Sequence, residues 1–150
     1  QITISFTGFV FDCERMTSHA PIEQALVAAK ALESGLADLA AALMADDRTS
    51  DGLMRDFVLA RYSAGFARQS LARLLARLDD AVPPEAKHVR ATLATATEQA
   101  EFAKGSLTNA DRALAATGAQ GEAWRAVQAG SAALVQSLTA ADVRFGHANA

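Results

Sequence analysis

The sequence predicts an all-α domain, an antiparallel up-down-up-down four-helix bundle preceded by a short apolar N-terminal segment. Three observations lead there. Four separate stretches repeat apolar residues at alternating spacings of three and four, the seam of helices that wrap left-handed around one another. Proline, glycine and aspartate fall between those stretches and rarely inside them. The composition is dominated by alanine, leucine and arginine, all strong helix formers, with only 3 prolines and 9 glycines in 150 residues.

The first seam runs Ile22, Ala25, Ala29, Leu32, Leu36, Leu39, Leu43. Pro21 stands just ahead of it and Glu23 just inside, so Pro21 is expected in the first turn, the one helical place that tolerates a missing N–H. The second seam runs Leu53, Phe57, Ala60, Ala64, Ala67, Leu71, Leu74, Leu78. Before it, Asp46 to Gly52 read as a loop with several candidate N-caps. Val82-Pro83-Pro84-Glu85 closes the second helix and opens the third. The third seam is mostly alanine: Ala86, Val89, Leu93, Ala96, Ala100, Ala103, Leu107, Ala110, Leu114. Gly118 is expected as its C-terminal cap. The fourth seam is Trp124, Val127, Ser131, Leu134, Leu138, Ala141, Phe145. Short connections make sequential helices antiparallel neighbours.

This reading divides the chain into an apolar segment over residues 1–20, the bundle over 21–146 and a frayed tail over 147–150. Ile2-Thr3-Ile4-Ser5-Phe6 alternates as a half-buried strand does, yet Ile2, Phe6, Phe9, Cys13 and Met16 also keep helical spacing. Both alternatives stay open on pattern alone. The alanines at the centre of the second seam and along the third pack tightly if they face each other. If they face nothing large, they leave room for a ligand.

The composition excludes several function classes. A net charge of −3 lacks the basic footprint of a nucleic-acid binder. A single cysteine, Cys13, rules out an internal disulfide and a cysteine zinc site. The three histidines, His19, His88 and His147, form no Glu-x-x-His pair, and no Cys-x-x-Cys-His haem attachment exists. No metal and no cofactor are expected. The aspartates at 46, 47, 51, 79 and 80 lack the alternating ligands of a calcium loop. Glycine-rich phosphate loops and nucleophile elbows are absent, and Cys13 with His19 has no third group to orient it.

Two features of the second helix stand out. Val58, Leu59, Tyr62 and Phe66 fall outside the seam, as an apolar patch that a partner protein, a second copy or the N-terminal segment would cover. Arg61 and Arg68 flank the seam seven residues apart, and no acid occurs between Asp56 and Asp79. Their ordinary use is ion pairing to Glu33, Asp38, Glu98 or Glu101 of neighbouring helices. The alternative is a site for a small anionic ligand.

These readings point to a non-enzymatic binding or sensor-type bundle, working with a protein partner or as a homodimer. The start at Gln1 and the apolar leading segment favour an exported, periplasmic setting, with membrane proximity open. The rival readings are a cytosolic adaptor that presents the Phe66 patch and, in another class, a phosphotransfer domain using His88.

Overall fold

The computed structural model describes residues 7–45, 51–117 and 121–147, with side chains over 19–45, 51–115 and 121–143. Four helices account for nearly all of it: α1 (Thr7–Met44), α2 (Asp51–Leu78), α3 (Ala86–Thr117) and α4 (Glu122–His147). No strand occurs among the described residues. Each helix packs on two neighbours, in the cyclic order α1, α2, α3, α4, and the diagonal pairs make no close backbone approach. This is the up-down-up-down bundle that the four seams predict.

The seams are the core. All the predicted seam residues with described side chains are buried except Leu39 and Ala86, which are half-buried. The α2–α3 interface is the most extensive of the four. Residues equally distant from the 79–85 turn stand level in such a hairpin, which sets the buried Ala60, Ala64 and Ala67 opposite Ala103, Ala100 and Ala96. The alanine runs therefore face each other, with Leu71 and Leu93 as the next tier. The small side chains bring the two backbones together and leave the helices close-packed.

Large side chains fill the centre nearer the far end. Phe57 of α2 and Trp124 of α4 reach across the diagonal and meet edge to face, centroids 5.8 Å apart and planes at 79°. The Trp124 indole Nε1–H donates to Asp111 Oδ1 at 2.8 Å, so its polar handle is satisfied. Ser131 takes a seam position in α4, and its buried hydroxyl has no hydrogen-bond partner among the described residues. Several helical threonines instead bond back one turn, as Thr97 does to the Leu93 carbonyl at 2.8 Å.

Two glycines set how closely α1 and α4 pack. A Cβ built on Gly35 would stand 3.0 Å from Val127 Cγ2, whereas one on Gly130 would rest at 3.8 Å from Leu32 Cβ. The two should respond oppositely to alanine. Gly130→Ala gains helix propensity at ordinary contact distance and should raise stability by about 0.5–1 kcal/mol. At Gly35 the same gain is opposed by overpacking against a stiff β-branched side chain, a cost of about 1–3 kcal/mol. Gly35→Ala should lower stability, and urea denaturation of the two variants reads both signs.

Pro21 and two helix ends depart from the sequence expectation. Pro21 is inside α1, not in its first turn. It costs the helix one hydrogen bond, to the Thr17 carbonyl, and the chain stays helical on both sides. The segment ahead of the bundle is α-helical from Thr7 and continuous with α1, the helical one of the two alternatives that its pattern left open. The alternating stretch Ile2–Phe6 lies outside the described residues. At the other ends, α2 begins at Asp51 and takes in Gly52, read from sequence as loop, and α4 runs one residue past its expected end, to His147. The expected Gly118 cap lies outside the described residues.

Candidate interaction surface

The exposed apolar residues of α2 share one face. At 100° per residue, Val58, Leu59, Tyr62 and Phe66 fall within a 100° arc opposite the buried seam. Their exposures are 54%, 39%, 78% and 44%. Isolated exposed apolar residues such as Val27, Met44 and Val143 are ordinary surface, but four on one arc are a patch.

Helix α3 extends it. Phe66 lines the shallow α2–α3 groove together with His88, Ala91 and Thr95. Phe102 follows Ala91 and Thr95 on the same helical stripe, and it is level with Tyr62 across the hairpin. It is 52% exposed. The sequence reading passed over Phe102, although the signal was there: an aromatic standing outside the seam, between Ala100 and Ala103.

On its other side the patch borders the α1–α2 groove. This groove has a volume of about 570 Å³ and is lined by Glu33, Val58, Arg61, Tyr62, Gly65, Phe66 and Gln69. Gly65 is its floor. Glycine inside a helix costs about 1 kcal/mol relative to alanine, so its presence marks a close approach. What approaches is Glu33: a Cβ on Gly65 would lie 2.6 Å from Glu33 Oε2. The other carboxylate oxygen, Oε1, accepts from Arg68 Nε at 2.6 Å. Glycine lets the acid lie flat on α2 and reach that guanidinium.

The two arginines singled out by spacing therefore part company. Arg68 pairs with Glu33, one of the four acids the sequence put forward for it. Arg61 is exposed at the groove mouth, without an ion-pair partner among the described residues. No family model, curated protein or solved structure matches this chain.

His19 Nδ1 lies 4.0 Å from Asp79 Oδ1, level with the end of α2. The helix from Thr7 to Ser18 continues α1 ahead of His19, about 18 Å at 1.5 Å per residue. His88 is exposed in the first turn of α3. Cys13, Met16 and His147 lie in helices, with their side chains outside the described residues. Among the described residues no three His, Cys, Asp or Glu side chains gather as metal ligands. No described helix is long and apolar enough to cross a membrane.

Proposed function

We propose that this chain is a non-enzymatic interaction bundle that receives a helix of another protein on the outer face of α2. The supporting observation is the exposed arc of Val58, Leu59, Tyr62 and Phe66, widened by Phe102 on α3. Tyrosine, phenylalanine and arginine are the residues over-represented at the centre of protein interfaces. The patch is elongated along α2 and bordered by a groove on each side, the shape that suits a helix laid into a channel. An exported sensor domain and a cytosolic adaptor would use such a surface in the same way.

Site-directed crosslinking tests the reading. Tyr62 is replaced by photoreactive benzoylphenylalanine in cells of the source organism, and a control probe is placed at exposed Gln136 on α4. One dominant adduct, identified by mass spectrometry, is expected from position 62 alone. It should disappear on adding Phe66→Glu or Phe102→Glu, exposed substitutions that change stability by no more than about 0.5 kcal/mol. No adduct, the same adducts from position 136, or an adduct of two copies of this chain would each refute the proposal.

A further inference from the structure

We propose that the partner helix has an acidic rim, and that Arg61 receives one of its carboxylates at the mouth of the α1–α2 groove. This rests on the docking role proposed above and names the chemistry of what docks.

The charge on α2 carries the argument. The whole chain is acidic, at −3, yet α2 bears Arg55, Arg61, Arg68, Arg73 and Arg77 against only Asp51 and Asp56. Helical geometry places Arg55 at one end of the apolar arc and Arg73 and Arg77 at the other, all on the outer face. All three are exposed. Arg68 is the exception, neutralised at 2.6 Å by Glu33. Arg61 stands beside Tyr62 at the edge of the groove and makes no ion pair among the described residues, the Glu33 carboxylate of that groove being turned to Arg68. A guanidinium in that position presents a planar fork of donors suited to a carboxylate.

The same charge pattern argues against two other occupants. Packing α2 on α2 of a second copy sets one arginine stripe against another, and like charges facing each other oppose association. An anionic bilayer would accept the arginines, but it has no use for a groove floored by glycine. A ridge of side chains on a helix fits there.

Two synthetic helical peptides provide the test. Both carry the same leucine stripe at i, i+3, i+4 and i+7; one has glutamate along its rim, the other lysine. The glutamate peptide is expected to bind the full chain at least about tenfold more tightly, with the preference collapsing in about 0.5 M salt. Arg61→Glu should abolish that preference and Arg61→Lys retain part of it, both with unchanged thermal melting. Equal binding of the two peptides at the Tyr62 face would overturn the acidic rim and leave the docking role standing. Binding of neither overturns both. Retention on phosphatidylglycerol vesicles without peptide preference, or a dimer by light scattering, also overturns the inference.

Discussion

Trp124→Ala should lower the stability of the bundle by about 3–5 kcal/mol, measured by urea denaturation followed by circular dichroism. A domain of this size holds about 5–15 kcal/mol in all, so the variant sits near the edge of folding. The reason is position as much as size. Trp124 is among the largest fully buried side chains, and with Phe57 it closes the diagonal between two helices whose backbones do not approach each other. Alanine there leaves a cavity that neither α2 nor α4 can fill by a small shift. It also takes the indole donor from Asp111. Trp124→Phe separates the two effects, since an aromatic edge can still meet Phe57 while the hydrogen bond is lost. A loss of about 1–2 kcal/mol is expected from that variant. A Trp124→Ala loss below about 1 kcal/mol would show that the diagonal contact is not part of the core.

Ala64→Leu is the second large effect, and it works by excess. Ala64 is wholly buried and level with Ala100, in the middle of the tiers where α2 and α3 meet through alanine. Three added carbons have no space there without parting the helices or forcing strained rotamers. Overpacking of this kind costs about 1–3 kcal/mol, and more where the neighbours are backbone. The same substitution at Ala72, exposed on the same helix, is the control and should be close to neutral. Equal melting temperatures for the two variants would mean that the alanine tiers do not face each other.

The seams were legible because helical spacing is a property of the chain alone: 3.6 residues per turn fixes which side chains share a face. Whether the alanine runs face each other stayed open in the sequence, because spacing alone does not say which helix each run meets. Pro21 was misread because the confinement of proline to a first turn is a preference of about 3 kcal/mol, which a 38-residue helix can override at one position. The partner of Arg68 was narrowed to four acids and no further. Which acid meets it depends on how far α1 slides along α2, and neither seam records that offset. Gly65 explains the choice: the one glycine in the middle of α2 stands where Glu33 has to lie. The patch was half legible. Val58, Leu59, Tyr62 and Phe66 could be placed outside one seam, but Phe102 joins them only when two helices are laid side by side.

The contact between Glu33 and Gly65 has a consequence for how this sequence can drift. A Cβ at position 65 would stand 2.6 Å from Glu33 Oε2, the far end of a flexible side chain, so the carboxylate would swing aside. A lineage that acquires alanine or serine at 65 moves the Glu33 carboxylate off its seat on α2 and away from Arg68. Arg68, set free by that exchange, would join Arg61 and turn one cationic groove edge into two.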